Sequence, residues 1–457
     1  MSNYKLLLIS LIFCLGCKNE TIVKEESKPN IIFLLTDDQR WDALGIAGNT
    51  IIKTPNLDHL ASQGQFYTNA YVTTSICMVS RASILSGQYQ SRHGINGFHT
   101  SFTKEAFDNT YPMILRKNGY RTGFIGKFGV GNPKNQPKKS FDYWEGTPLH
   151  QPNYENKDAN GNFIHYTDLV SQKIDTFLHK TNQQPFCLSV SFKSPHSQDG
   201  DDRQFIPNPK YSNLYKDDSI PQPKTADPKY WQSFPNFFRT DENIARARWK
   251  LRFETPEKYQ ESVKNYYRLI TGVDDAVEKL RKTLKSKNLD KNTIIIFMGD
   301  NGFYLGEHGL AGKWFGHEES IRVPLIIYDP RNPSEIHKTD KIGLNIDIAP
   351  TILGFAGIKQ PTVMQGINLL DFDTEKNNKR EDFFYGHTFL GSPKLPKIEG
   401  VVSTTTKYMK FIESGYEELY DLTNDPNETK NLAKDATYKN LLEKQRNRYN
   451  VLKHKVK

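Results

Sequence analysis

Two places in the chain carry paired oxygen ligands directly after an apolar run: Asp37-Asp38 after residues 30–36, and Asp300-Asn301 after residues 293–298. Three carboxylates and a carboxamide are hard donors that suit calcium or magnesium better than zinc. Aspartates at strand ends also cap turns, and one pair alone would be read that way. Two pairs, each behind a buried run, point instead to a bound cation. Cys77 stands at the entry to a segment, residues 80–85, that reads as helix, with Arg81 one turn on. A helix N-terminus gathers backbone donors and favours an anion, and an arginine adds a fork of donors matched to a tetrahedral oxyanion. Lys127, His196 and Lys313 complete an electropositive set. Beside a cation, such a set would stabilise charge developing on a transferring group and on its leaving oxygen. No Ser-His-Asp triad, Walker loop or dinucleotide fingerprint is present, and His93, His308 and His317 taken singly read as structural.

Placing these residues together requires a sheet. Residues 30–36, 121–125, 186–192 and 293–298 are continuous apolar runs of the kind found in strands covered on both faces. They end in Asp37-Asp38, Gly126-Lys127, Pro195-His196 and Asp300-Asn301. In open α/β sheets, sites form beyond the carboxyl ends of the strands, so one sheet edge would receive all four. Helices are expected at 56–63, 110–118 and 256–287, the last with Tyr266, Tyr267, Leu269, Ile270 and Val273 on one side. Residues 196–256 form a long polar, proline- and aromatic-rich stretch, the composition of a lid or binding wall. Short strand-like runs at 400–403 and 408–412 and an exposed amphipathic tail over 439–457 make a smaller C-terminal subdomain.

The 457 residues allow a large buried core, and the composition is globular. A formal charge of +9 is compatible with a polyanionic partner. Met1 to Lys5 followed by the apolar residues 6–13 reads as an export signal too short to span a bilayer. The signal runs into Cys14-Leu15-Gly16-Cys17, and a small residue before Cys17 resembles the lipobox of bacterial lipoproteins, with Cys17 as the lipidated residue. The expected layout is signal 1–17, linker 18–28, catalytic domain 29–372 and C-terminal subdomain 373–457. Two of the four cysteines belong to the signal. Cys187 lies in an apolar run, which leaves Cys77 either paired with it or reactive.

Across nearly the whole mature chain these residues resemble the type I sulfatases of the alkaline phosphatase superfamily. The likeness is carried by an ordered set: Asp37-Asp38, Thr54-Pro55-Asn56-Leu57-Asp58, Cys77 with Ser80-Arg81, Gly126-Lys127 and Pro195-His196. Downstream it continues through Gly299-Asp300-Asn301-Gly302, Gly306-Glu307-His308-Gly309, Gly312-Lys313-Trp314 and Asp347-Ile348-Ala349-Pro350-Thr351. The resemblance implies an α/β sandwich with a large central mixed β-sheet flanked by helices, plus a small antiparallel C-terminal sheet with a helix. It implies that Cys77 is oxidised to formylglycine by a formylglycine-generating enzyme and hydrated to a geminal diol. One calcium ion would be held by Asp37, Asp38, Asp300, Asn301 and the modified Cys77. One hydroxyl of the diol would attack sulfur while Arg81, Lys127, His196 and Lys313 bind the diol and sulfate and protonate the leaving alcohol. The other hydroxyl would then expel sulfate.

Two positions depart from the family pattern. Val79 stands where proline or alanine is usual two residues after the cysteine, and Gly129 stands where a histidine commonly follows the lysine. His93 is the residue proposed to replace that histidine. The substrate expected from the resemblance is a sulfated polysaccharide or its oligosaccharides. Residues 249–274 are similar to sulfatases of bacteria that degrade marine algal polysaccharides such as ulvan or carrageenan. A nucleic-acid partner is not expected. Arg203, Arg248 and Arg252 are candidates for binding neighbouring acidic groups or are solvated lid charges. The rival readings are a phosphoester or phosphonate monoester hydrolase of the same superfamily, and an inactive carbohydrate-binding protein with an unmodified Cys77.

Overall fold

The computed structural model describes residues 28–333, 337–373 and 380–457, and Cys17 with the rest of the expected signal and lipobox lies outside them. Eight strands form the central sheet: β1 (Asn30–Asp37), β2 (Gln65–Tyr71), β3 (Arg121–Gly126), β4 (Tyr143–Gly146), β5 (Phe186–Pro195), β6 (Thr293–Gly299), β7 (Leu325–Tyr328) and β8 (Lys338–Leu344). Their spatial order is β8-β2-β7-β6-β1-β5-β3-β4. Only β7 runs antiparallel to its neighbours, so the sheet is mixed. The four runs singled out in the sequence are thus the consecutive strands β6, β1, β5 and β3.

Side-chain alternation explains why these strands are apolar throughout. Along β1, Ile31, Phe33 and Leu35 enter one core while Ile32 and Leu34 enter the other. In β6, Ile294, Ile296 and Met298 share the first core, and Ile295 and Phe297 the second. Period-two alternation with both faces covered leaves no solvent side for polar residues. The first core is closed by helices α2 (Cys77–Ser86), α3 (Tyr111–Lys117) and α7 (Ile348–Phe355); the second by α1 (Pro55–Gln63), α4 (Tyr166–His179) and α6 (Pro256–Ser286). Thr54 makes no side-chain cap for α1. Asp274 of α6 does that work, accepting the N–H groups of Asn56 at 3.0 Å and Leu57 at 2.7 Å.

Residues 196–256, read from the sequence as a lid or binding wall, are fixed to the body of the molecule. They are built from short helical turns and α5 (Ile244–Arg252), and are anchored in both cores, by Phe205 and Ile206 in the second and Phe234 and Phe238 in the first. The aromatic residues that made the stretch look irregular are its anchors. A second sheet follows, with β9 (Asp382–His387), β10 (Ile398–Ser403), β11 (Thr406–Phe411) and β12 (Glu417–Asp421) antiparallel in sequential order. One face, through Phe383, Tyr385, Val402 and Met409, continues the first core. The other, through Phe384, Val401 and Tyr408, is covered by Leu442, Tyr449 and Leu452 of α8 (Lys439–Lys455). The tail is therefore half-buried rather than exposed. No helix among the described residues is long and apolar enough to cross a membrane.

Candidate active site

Because β6, β1, β5 and β3 are adjacent and parallel, their carboxyl ends bring Asp300-Asn301, Asp37-Asp38, His196 and Lys127 to one edge. The turn after β1 is held tightly. Asp38 adopts φ 65°, a left-handed conformation uncommon for a residue with a side chain. The Tyr266 hydroxyl donates to the Asp38 carbonyl at 2.7 Å and accepts the Arg40 N–H at 3.1 Å, pinning that turn from α6. Asp300 Oδ1 accepts the Asp38 N–H at 3.0 Å, which ties the two acidic pairs together.

Cys77 opens α2 and is buried. The helix begins at the cysteine itself, three residues before the expected start, so the sulfur sits in the first turn where backbone N–H groups are unpaired. Cys77 and Cys187 are both free, so the disulfide alternative is not realised. Cys187 packs in the first core, where burial pushes its thiol far above the ordinary range. Val79 is also a core residue, fully buried on α2.

Arg81 is the organising cation. Its Nε donates to Asp300 Oδ2 at 2.8 Å and its Nη1 to the Lys127 carbonyl at 2.7 Å and to the Ser191 hydroxyl. Its Nη2 lies 3.7 Å from Asp37 Oδ2 and is buried without a hydrogen bond. The Lys127 ammonium donates to Asp37 and the Lys313 ammonium to Asp38. Asn301 donates from Nδ2 to Asp38 Oδ1 at 2.7 Å. His196 places Nδ1 2.6 Å from the Ser197 carbonyl, so Nδ1 carries the proton. The lone pair on Nε2 then faces the Gln151 amide at 3.0 Å and Asp38 Oδ2 at 3.4 Å.

The electrostatics follow from this packing. Burial opposes ionisation of Asp37, but Lys127, His196, Arg81 and Lys313 outweigh it and hold its carboxyl well below the usual range. Burial and the neighbouring Asp37 charge push Asp300 up, against Arg81 and Lys313. Burial brings His196 down to about 4, with Asp38 and Asp37 pulling the other way.

Asp37, Asp38 and His196 each bring a ligand atom within 4.8 Å of the others. Asp37 Oδ1 and Asn301 Oδ1 are buried oxygens without a hydrogen-bond partner. Leaving such a group unpaired costs about 1–3 kcal/mol, and a hard cation is the species that would satisfy acceptor-only oxygens. The donor set therefore fits the expected ion. Asp300 differs from the other three in having both oxygens engaged, by Asp38 N–H and by Arg81.

Several contributors were not singled out in the sequence. Ser191 lies on β5 opposite Arg81, Gln151 reaches His196 from the loop after β4, and Lys193 donates to the Pro152 carbonyl at 2.6 Å. A lone serine, glutamine or lysine in an apolar or loop segment carries no sequence signal of its own. The structure also accounts for Gly129. A Cβ there would lie 2.8 Å from Arg81 Cδ at a backbone φ of +71°, so Arg81 fills the space a side chain would need. His93 does not take up the role proposed for it. Its Nδ1 accepts the Ile95 N–H at 3.1 Å and its Nε2 meets the Ser83 hydroxyl at 3.1 Å, so its hydrogen bonds go to Ile95 and Ser83 and not to Cys77, Lys127, His196 or the acidic pairs. His308 and His317 stack with ring centroids 4.5 Å apart, both buried, in keeping with a structural role.

Comparison with known proteins matches residues 29–358 to the sulfatase family profile and residues 306–455 to the C-terminal profile of N-sulphoglucosamine sulphohydrolase. An arylsulfatase of Clostridium perfringens is 29% identical over 90% of this chain and 92% of its own length. An N-acetylglucosamine-6-O-sulfatase of Bacteroides thetaiotaomicron is 27% identical over 96% and 88%, and an ulvan-active sulfatase of Formosa agariphila 27% over 93% and 82%. Among solved structures, one in complex with its substrate D-glucosamine-2-N,6-O-disulfate superposes with a TM-score of 0.78 at 24% identity, covering 94% of this chain and 98% of that one. A phosphonate monoester hydrolase of Agrobacterium radiobacter shares the fold at a TM-score of 0.77 and 21% identity, covering 94% and 96%.

Proposed function

The chain belongs to the sulfatase family, and on that premise we propose that it hydrolyses sulfate esters on a sulfated oligosaccharide or polysaccharide, with Cys77 converted to formylglycine and one calcium ion bound. One observation carries the reading: Cys77 opens a helix whose Arg81 is locked to Asp300 and Lys127, beside Asp37, Asp38, His196 and Lys313. The curated relatives named above include sulfatases of an amino sugar and of ulvan, which supports a glycan substrate. Algal polysaccharides such as ulvan and carrageenan are the substrates we place first.

Formylglycine at residue 77, once hydrated, would supply a geminal diol with one hydroxyl for nucleophilic attack and a second whose loss of a proton would reform the aldehyde. Calcium would be held by Asp37, Asp38, Asp300, Asn301 and the modified residue 77, and would supply Lewis acidity to the reaction. The remaining work falls to side chains of this chain. Arg81, one turn after residue 77 on α2, is itself fixed by its bonds to Asp300 and the Lys127 carbonyl and would bind the diol and sulfate from there. Lys127 and Lys313 neutralise sulfate oxygens, each ammonium already oriented by an aspartate. With Nδ1 fixed on Ser197, His196 has Nε2 for the leaving oxygen, which would take the place of the Gln151 amide there. An anionic sulfate ester near that ring raises its proton affinity, preparing it to protonate the departing alcohol. We further propose export as a lipoprotein anchored at Cys17 to a bacterial periplasmic or cell-surface membrane, and maturation by a formylglycine-generating enzyme.

The test is mass spectrometry of the Cys77 peptide from protein co-produced with a maturation enzyme, paired with turnover of ulvan, carrageenan and amino-sugar sulfates. Formylglycine together with sulfate release is expected. An intact thiol in fully active protein removes the formylglycine mechanism, and cleavage of phosphate or phosphonate esters alone removes the sulfatase reading.

A further inference from the structure

The three lid arginines separate cleanly by what their donors already hold. Arg203 is spent on Asp201 and Glu155, with bonds of 2.7–3.1 Å away from the site. Arg252 is fully buried and braces the lid, donating from Nε to Gln204 at 2.8 Å and from Nη2 to the Ser197 hydroxyl at 2.8 Å, with Nη1 buried and without a hydrogen bond. Arg248 is different. It is partly exposed, lies over the Trp314 ring at 5.0 Å, and stands 3.6 Å from Asp199 Oδ1, with no hydrogen bond to any described residue. Asp199 is itself exposed, and neither of its oxygens accepts a hydrogen bond among the described residues.

Their position gives this unused capacity a use. Asp199 is three residues beyond His196, and Trp314 directly follows Lys313. Ser197, the neighbour of His196, is bonded to Arg252, whose guanidinium also lies 3.9 Å from Asp199. The pair therefore borders the two residues assigned to the leaving oxygen and the sulfate. An ionised carboxylate only accepts and a guanidinium only donates. Side by side, they match the alternating donor and acceptor character of neighbouring hydroxyl groups. An exposed carboxylate at the same spot repels a uronate or a second sulfate in direct contact. Resting on Trp314, which is only 6% exposed, Arg248 loses little freedom on binding.

We propose that Asp199 and Arg248, braced on Trp314, form the subsite that reads the free hydroxyl groups of the glycosyl residue bearing the sulfate ester. This rests on the glycan-sulfatase reading above. Asp199 takes a hydroxyl hydrogen and Arg248 donates to the adjacent oxygen, so a substrate lacking those hydroxyls leaves the pair with only its 3.6 Å ion contact and no hydrogen bonds from the sugar. Selectivity for sugar over aryl sulfates is then a property of this pair.

The experiment uses the mature, formylglycine-containing protein and compares kcat/KM for 4-methylumbelliferyl sulfate with that for a sulfated monosaccharide the wild type turns over. Hydrogen bonds to charged groups lead to an expected fall in the sugar-to-aryl ratio of about 10- to 100-fold in both Asp199→Ala and Arg248→Ala. The loss should appear mainly in KM, with partial recovery in Asp199→Asn and Arg248→Lys. Parallel loss on both substrates would make the pair a structural support and overturn the proposal, as would an unchanged ratio. An Arg248→Ala loss confined to uronate or multiply sulfated sugars, with Asp199→Ala harmless, overturns it in favour of an anion subsite. A wild type that cleaves aryl sulfates but no sulfated sugar overturns the glycan reading itself, and is recognised before any variant is compared.

Discussion

Replacing Gly129 by alanine tests whether the position of Arg81 governs turnover. The new Cβ would sit 2.8 Å from Arg81 Cδ and 3.3 Å from its Nε, at a φ of +71°. The left-handed backbone costs an L-residue roughly 1–2 kcal/mol, and crowding a packed site adds about 1–3 kcal/mol. Relief is available only if the guanidinium moves, and movement breaks its 2.8 Å bond to Asp300 and its 2.7 Å bond to the Lys127 carbonyl. Losing one charge-assisted bond there, about 1.5–3 kcal/mol, slows turnover roughly 10- to 150-fold if Arg81 positions the transferring group, at about 1.4 kcal/mol per tenfold. The measurements are kcat and KM for an aryl sulfate, the fraction of residue 77 converted, and the thermal midpoint. Conversion is measured so that a maturation defect is not mistaken for a catalytic one. Gly129→His, which restores the histidine common in the family, is expected to lose at least as much, because Arg81 occupies the space the ring would enter. A Gly129→Ala protein with wild-type kcat and midpoint would refute the steric reasoning. A Gly129→His protein that turns over faster would refute the assignment of that space to Arg81.

Other expectations are open to direct measurement. Dialysis against a calcium chelator should abolish sulfate release and lower the thermal midpoint, since buried acceptors such as Asp37 Oδ1 and Asn301 Oδ1 have no other partner; at a calcium concentration 100-fold above Kd the stabilisation is about 2.7 kcal/mol, so a midpoint indifferent to calcium counts against a bound ion. His196→Ala should reduce turnover of sugar sulfates by about 10²- to 10⁴-fold and of 4-nitrophenyl sulfate much less, because a good leaving group needs no proton; equal losses would remove the acid role. Asp274→Ala should destabilise the protein by about 1–3 kcal/mol in urea unfolding by unpairing the Asn56 and Leu57 N–H groups that Asp274 accepts, with Asp274→Asn milder, and a neutral Asp274→Ala would contradict its capping of α1.

Composition and local pattern determined much of this protein. Strands buried on both faces need apolar residues at every position, so the four runs ending in Asp37-Asp38, Lys127, His196 and Asp300-Asn301 were legible without coordinates, as were the hard character of the oxygen donors and the position of Cys77 ahead of Arg81. Two of the four C-terminal strands, β10 and β11, and the periodic helix beginning at Pro256 were also visible, whereas β9 and β12 were not read as strands. What no local pattern encodes is which strands lie side by side. The order β6-β1-β5-β3 depends on long-range pairing, and it alone turns four separate strand ends into one site. The same holds for groups whose meaning lies in their partner. Arg203, Arg248 and Arg252 look alike in sequence, and only the folded chain gives two of them hydrogen-bonded partners while leaving the third, beside Trp314, with an ion contact to Asp199 and no hydrogen bond among the described residues. Gly129 reads as a missing histidine until Arg81 is seen in its place. Residue type sets what a side chain is able to do; the packing of distant segments decides which atoms remain free to do it.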